Sequence, residues 1–453
     1  MNQITTINKI YFIGIGGIGM SALARYFLSK GVEVSGYDKT ATVLTSTLEK
    51  EGIPIHYIED ISLAPKEVDA VVYTPAIPAS NIELIYYQTN GFPVVKRSDI
   101  LQWITQHSFN ICVAGTHGKT TVTSMAAHIL RHAEYGCNAF LGGIAANYNT
   151  NFWSHERNVV VVEADEYDRS FLKLFPDIAV ITSMDADHLD IYGTAEEVEN
   201  AFIQFSQKLK PGGCLITKYG LSKSAELKAA HHFSYDYQNQ LADISINDLK
   251  VLDGSYYFNV KGPNWNLDHM VLNMGGLHNI DNILAAITVA KQLGIEDHKI
   301  RAAVADFKGV RRRFEYALKT NQHVLIDDYA HHPEELNALI TGVRSIFPNE
   351  QLTIVFQPHL FSRTKDQADA FAKSLDQADQ VLLLPIYPAR ELPMEGVTSE
   401  LLIGKMNLTN KQVIDKAELI EWAKKHQPTL LVMAGAGDID TLVQPIKTVL
   451  ENN

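Results

Sequence analysis

Residues 111–121 read Ile-Cys-Val-Ala-Gly-Thr-His-Gly-Lys-Thr-Thr, an apolar run that ends in a glycine loop and Lys-Thr-Thr. Ile111 to Ala114 has the length and composition of a buried strand, and the apolar stretch after the loop, through Leu130, reads as a helix. Strand, glycines, Lys-Thr and helix in that order describe a phosphate loop. Backbone N–H groups of Gly115, Thr116, His117 and Gly118 would cradle phosphate, and Lys119 would neutralise the β- and γ-phosphates. Thr120 would offer a hydroxyl to Mg²⁺, with Thr121 closing the loop. The loop is shorter than the G-x-x-x-x-G-K-T/S form, because only Thr116 and His117 separate its two glycines. A Gly-Lys-Thr triplet alone is common; its position between strand and helix gives it meaning.

A second glycine loop lies upstream. Ile10 to Ile13 leads into Gly14-Ile15-Gly16-Gly17-Ile18-Gly19, and a helix is expected over Ile18 to Ser29. Glycines there permit a tight turn and close backbone approach, so a pyrophosphate can rest on free N–H groups at the helix N-terminus. Asp38 ends the next strand, Glu33 to Tyr37, near the spacing at which an acid meets a ribose hydroxyl. The loop fits NAD, FAD or another nucleoside diphosphate and does not choose among them. A nicotinamide oxidoreductase built on it would leave Lys119 and the acids downstream without a role.

Those acids fall at strand ends. Val159 to Val162 runs into Glu163-Ala164-Asp165-Glu166-Tyr167-Asp168, and Ile178 to Thr182 is followed by Asp185-Ala186-Asp187-His188-Leu189-Asp190. Either cluster alone reads as loop capping. Two clusters beside a phosphate loop read as a place for Mg²⁺, a hard cation that takes oxygen ligands. Zinc is disfavoured, because no second histidine or cysteine stands at ligand spacing from His188.

Further out, strand-like and helix-like stretches alternate almost throughout, which predicts α/β layers with mostly parallel sheets. The 453 residues are long enough for about three domains. The boundaries are placed at 1–107, 108–309 and 310–453, with a linker at Gln106 to Asn110 and a break near Phe307 to Arg313. The first and third domains are expected to be Rossmann-like, with a P-loop ATPase-like α/β domain between them. A β-rich insert is expected between Asp243 and Val260. Lys and Arg number 39 against 52 Asp and Glu, a formal charge of −13. That balance argues against a nucleic-acid or anionic-membrane binder, and no stretch reaches the length of a membrane helix. The three cysteines form no C-x-x-C pair, which fits a reducing, cytoplasmic setting.

With two nucleotide loops on successive domains, the chain resembles the Mur ligase family, ATP-dependent amide-forming enzymes of bacterial peptidoglycan synthesis. The family's short loop G-T-H-G-K-T-T stands at Gly115 to Thr121, and the likeness extends in motifs from Gly14 to Asp438. It implies that the first domain holds the UDP of UDP-N-acetylmuramate, through Gly14, Gly16, Gly17, Gly19 and Asp38. The central domain would hold ATP and Mg²⁺, with Thr120, Glu163 and His188 as metal ligands; the family often carries Asn where Ser183 stands. Gly276-Leu277-His278-Asn279-Ile280-Asp281-Asn282 resembles the family's G-x-H-N-x-x-N, which brings Asn279 and Asn282 to adenine. Arg312-Arg313-Phe314-Glu315 resembles R-R-F-E, and assigns Arg312 to ATP and to catalysis with Lys119, Glu163 and His188.

In the third domain the likeness places Asp328, Tyr329, His331 and His332 around ATP and an amino acid. Gln357-Pro358-His359 and Ser362-Arg363-Thr364 add His359 and Arg363, whose planar fork suits a carboxylate. Some relatives carry a base where Leu360 stands. Gly435-Ala436-Gly437-Asp438 matches a family turn. The implied reaction joins L-alanine to the sugar's lactyl carboxylate, by a monomer or homodimer without membrane insertion. The rival within the family adds a preformed peptide instead, and an inert UDP-sugar sensor would not need Lys119 and both acid clusters.

Overall fold

The computed structural model describes residues 7–185, 189–389 and 391–451. Three main sheets with helical connections succeed one another along the chain, the α/β architecture expected. The first comprises β1 (Lys9–Ile13), β2 (Glu33–Tyr37), β3 (Ile55–His56), β4 (Ala70–Tyr73) and β5 (Val94–Lys96). Their order is β3-β2-β1-β4-β5 and every neighbouring pair is parallel. Ile10, Tyr11, Phe12 and Ile13 are all buried, as a central strand covered on both faces requires. Strand order reverses beside β1, so the loop leaving it opens where such sheets collect ligands.

The second sheet comprises β6 (Phe109–Ala114), β7 (Asn138–Ala145), β8 (Thr150–Trp153), β9 (Val159–Glu163), β10 (Ile178–Ile181), β11 (Cys214–Lys218) and β12 (His231–Tyr235). They lie in the order β12-β11-β10-β6-β9-β7-β8. β6 sits between β9 and β10, with Val113 opposite Glu163 and Ala114 opposite Ile181. The phosphate loop and the two acid-bearing strand ends therefore leave the same edge side by side. The expected linker at Gln106 to Asn110 is corrected: a helix runs to Gln106 and β6 begins at Phe109. Of the polar residues that read as a linker, Gln106 and His107 are exposed, whereas Ser108 and Asn110 are buried. Asn110 donates to the carbonyls of Thr105, Ser108 and Phe175 and takes a hydrogen bond from Ser108.

The β-rich insert is a three-stranded sheet of β13 (Ser245–Leu252), β14 (Ser255–Lys261) and β15 (Asn266–Leu272). β15 lies beyond the expected insert. Its alternation is interrupted at His269, whose φ of 59° is left-handed, so period two does not show in the sequence. The third main sheet holds β16 (Glu315–Lys319), β17 (Val324–Asp328), β18 (Leu352–Phe356), β19 (Gln380–Leu383), β20 (Lys411–Val413) and β21 (Leu430–Ala434). Its order is β16-β17-β21-β18-β19-β20, with β16 antiparallel at the edge and the remaining pairs parallel.

Packing groups the first two main sheets into one compact unit and the third into another. Inside the first unit, the helix Ile18–Ser29 lies against β7 and β8. The Tyr26 ring is 5.4 Å from Phe140 and 6.1 Å from Phe152. Asn151, fully buried, donates to Ile18 O at 2.6 Å and to Ser21 Oγ at 2.9 Å, and accepts from Arg25. The same guanidinium holds Glu51 at 2.7 and 2.8 Å. The first turn after the N-terminal glycine loop is thereby tied to the second sheet. Asn151→Ala is expected to cost about 2–3 kcal/mol, since it strips buried partners that include a charged one. A denaturant midpoint unchanged from the parent would refute that. Cys112, Cys137 and Cys214 are buried free thiols. Among the described residues no helix is long and apolar enough to cross a membrane.

Candidate functional site

The N-terminal loop is held by β2. Gly14 N–H and Ile15 N–H both donate to Tyr37 O, at 2.7 and 3.0 Å, and Gly14 has a left-handed φ of 83°. Asp38 lies against the loop: its Oδ2 accepts from Gly16 N–H at 2.8 Å and its Oδ1 from Thr40 N–H at 3.1 Å. The acid thus shapes the turn it was expected to serve. Gly17 caps the helix without a side-chain bond, and no acid occupies the first turn, which leaves the positive end of the dipole for an anion. A Cβ on Gly19 would lie 2.6 Å from Arg97 Nη1. Arg97 Nη2 is also 3.5 Å from Asp165 Oδ2. Sequence reading passed over Arg97, because only the fold brings its helix to the glycines.

At the second loop Gly115 and Gly118 have φ of 136° and 82°. A Cβ at Gly115 would stand 2.0 Å from Thr182 Oγ1, so no other residue fits. Ser183 secures the loop: its hydroxyl takes His117 N–H at 2.8 Å and meets Thr116 Oγ1 at 2.8 Å. Thr120 and Thr121 are buried in the first turn of the helix Lys119–His132. Lys119 Nζ reaches Gly115 O at 2.6 Å and Glu166 Oε1 at 2.8 Å. Glu166 is 1% exposed. Burial pushes its carboxyl above the usual range, and Lys119 only partly opposes that. Tyr192 donates to Glu166 O at 2.6 Å. Neither Glu166 nor Tyr192 was singled out from sequence, where Glu166 was one acid among four.

Glu163 closes β9, and its Oε1 accepts from Gly142 N–H at 3.1 Å. His188 lies outside the described residues, with Ala186 and Asp187. Thr120 and Glu163 offer oxygen, as Mg²⁺ requires. Among the described residues no group of three or more His, Cys, Asp or Glu gathers. Asn279 and Asn282 fall within the helix His278–Gln292, which starts earlier than its apolar run predicts. A Cβ on Gly118 would be 2.8 Å from Asn282 Oδ1, so Asn282 borders the phosphate loop. Asn279 Nδ2 bonds Gly275 O at 2.6 Å.

The second unit gathers the remaining candidates at the carboxyl edge of its sheet. Asp328 accepts from Phe314 N–H and Ala330 N–H, both at 2.7 Å. Burial raises its carboxyl to about 6 and that of Asp327 to about 7. Arg311 and Arg312 diverge. Arg311 turns back to Glu315, whereas Arg312 Nη2 donates to Gly435 O at 2.5 Å and Gly437 O at 3.3 Å. Arg312 also covers the Tyr329 ring at 4.9 Å, and its Nε is buried without a partner. The Gly435–Asp438 turn is built rather than loose. Gln357 Nε2 donates to Asp438 Oδ1 at 2.8 Å, and Gln357 Oε1 accepts from Ile439 N–H at 2.9 Å.

His332 caps the helix Pro333–Ile346, and Glu335 returns to its N–H at 3.0 Å. His331 faces inward: its ring is 5.2 Å from Tyr329 and 6.0 Å from His359. His359 Nδ1 and Arg363 Nη1 are both buried without partners. Burial lowers the His359 pKa, helped by the neighbouring His331 and Arg363. Leu360 takes a φ of 70° as it enters the helix Phe361–Asp366. A guanidinium with an open, desolvated N–H is suited to a carboxylate.

Family models match the chain in succession. The model described as Mur ligase family, catalytic domain, matches residues 9–109, and the Mur ligase middle domain matches 113–290. The Mur ligase, glutamate ligase domain matches 312–437. A UDP-N-acetylmuramate–L-alanine ligase of Porphyromonas gingivalis is 45% identical, over 98% of this chain and 99% of its own. One of Flavobacterium johnsoniae is 46% identical over the whole of both chains. Among solved structures, a UDP-N-acetylmuramate–alanine ligase of Thermotoga maritima superposes with a TM-score of 0.82 at 27% identity, covering 98% of this chain and 99% of its own. A murein peptide ligase of Psychrobacter arcticus, 22% identical, shares the fold with a TM-score of 0.67 over 98% and 99% of the two chains.

Proposed function

The chain belongs to the Mur ligase family, and from that premise we infer that it joins L-alanine to the lactyl carboxylate of UDP-N-acetylmuramate at the expense of ATP. The observation that carries this is identity of 45–46% along essentially the full length of relatives bearing that activity in their names. Lys119, fixed between Gly115 O and the buried Glu166, supports the ATP part of the reading independently.

In the reaction the lactyl carboxylate attacks the γ-phosphorus, which expels ADP and leaves an acyl phosphate. The neutral amine of L-alanine then attacks the acyl carbon, and inorganic phosphate departs as the amide forms. Carboxylate and triphosphate repel by about 4 kcal/mol per charge pair at 4 Å and an effective dielectric of 20. Lys119 supplies a fixed opposing charge. Thr120, Glu163 and His188 would hold Mg²⁺, which would supply further charge neutralisation at the triphosphate. Gly115 to Thr121 cradle the phosphates, with Asn279, Asn282, Arg312 and Asp328 completing the ATP set. Gly14, Gly16, Gly17, Gly19 and Asp38 form the UDP-sugar loop. Tyr329, His331, His359 and Arg363 take the amino acid. The three buried free thiols fit a reducing compartment, and the enzyme is assigned to the cytoplasm.

Phosphate release with UDP-N-acetylmuramate, ATP and Mg²⁺ tests the reading when L-alanine, D-glutamate and a tripeptide are offered separately. Release with L-alanine is expected. Release with the tripeptide alone would transfer the chain to the peptide-adding branch.

A further inference from the structure

The amino-acid side of the site contains a ring that sequence motifs did not mark. Tyr387 follows β19 and forms an isolated bridge with His359. Its N–H donates to Pro358 O at 2.8 Å, and its carbonyl accepts from Leu360 N–H at 3.0 Å. The phenol ring stacks on the His359 imidazole, with centroids 5.8 Å apart and planes within 14°. Behind it, a Cβ added to Gly437 would stand 2.7 Å from both Cβ and Cγ of Tyr387. The ring is therefore pinned by its own backbone, by an imidazole face and by a glycine backbone.

Tyr387 ends a row of rings. Tyr329 meets His331 edge-on at 5.2 Å, His331 meets His359 edge-on at 6.0 Å, and His359 meets Tyr387 face to face. His359 Nδ1 and Arg363 Nη1 are buried there without partners, and the two residues are close enough for the guanidinium to depress the imidazole pKa. We propose that Tyr387 is a specificity-determining residue, a rigid wall that limits the amino-acid side chain to a methyl group. The proposal rests on the reading that Arg363 holds the substrate carboxylate. With that group fixed, a substituent on Cα directed toward the His359–Tyr387 stack meets a ring held by His359 and by the Gly437 backbone. Alanine fits, whereas a branched side chain meets the phenol.

The test measures kcat/KM for L-alanine and L-valine in the wild type, Tyr387→Ala, Tyr387→Leu and Tyr387→Phe. Removing the ring is expected to raise the valine-to-alanine ratio about 10-fold or more, the scale at which one or two methylenes are discriminated. Tyr387→Phe keeps the flat face and should keep the wild-type ratio. Tyr387→Leu fills the space against Gly437 without a flat ring, and provides a second reading of the ratio if the smaller variant is poorly folded. An unchanged ratio in whichever of the two is active overturns the proposal, as does equal loss of both substrates in both. If the wild type makes no product with L-alanine, the reaction assignment fails instead, which separates the two outcomes.

Discussion

Lys119→Ala is expected to lower turnover at least about 10³-fold while UDP-N-acetylmuramate still binds. A fixed cation facing charge that develops in the transition state is worth roughly 10²–10³ in rate when one donor is lost. Here the loss is larger, because Lys119 also anchors the loop through Gly115 O and neutralises Glu166. The second role has its own signature. Removing Lys119 takes a cation away from a carboxylate that is 1% exposed, and breaking a buried pair by deleting one partner costs about 3–5 kcal/mol.

That cost depends on pH. Burial already raises the Glu166 pKa in the presence of Lys119, and the variant raises it further. A group whose folded pKa exceeds its unfolded value stabilises the fold below the unfolded pKa, and loses that contribution as pH rises through the folded value. The stability deficit of Lys119→Ala should therefore be small in acid and grow toward neutrality. Adding Glu166→Gln to Lys119→Ala should recover the stability without recovering turnover. Turnover near wild type, or a stability deficit that shrinks as pH rises, would refute the assignment.

The phosphate loop was legible because its chemistry is local. Gly115, Gly118 and Lys119 act through backbone conformation and one short reach, so adjacent residues in the sequence are adjacent in the site. Positions of strands were also partly readable, since apolar runs such as Val159 to Val162 admit few alternatives to a buried strand. Arg97, Glu166 and Tyr387 were not readable in this way. Arg97 meets Gly19 and Tyr387 meets His359 only because the folds of their sheets bring separated segments together. Ser108 and Asn110 show the same effect in reverse: polar residues at a helix-to-strand junction imitate a linker, yet buried carbonyls claim their hydrogen bonds. Period-based reading also failed where one left-handed residue, His269, broke the alternation of β15.

Arg363→Lys is expected to raise the KM for L-alanine about 10²–10³-fold, with a much smaller change in the apparent affinity for ATP. The substitution retains the charge and removes the planar fork. An ammonium presents a point charge, whereas a guanidinium can grip both carboxylate oxygens at once. Truncating one partner of a desolvated, hydrogen-bonded charge pair costs about 2–5 kcal/mol, and the lysine variant should fall in the middle of that range. The buried, unpartnered Nη1 of Arg363 is what makes the effect large: a donor already stripped of water loses nothing further when the carboxylate arrives. Leu360 sharpens the expectation. With an apolar residue where some relatives carry a base, less residual charge remains to hold the substrate once the fork is lost. Arg363→Lys should respond to a basic residue restored at that position: Leu360→Arg added to Arg363→Lys is expected to recover about 10-fold in KM, the value of one charge-assisted contact of roughly 1.4 kcal/mol. A KM for L-alanine that is unmoved in Arg363→Lys would mean that the carboxylate is held elsewhere.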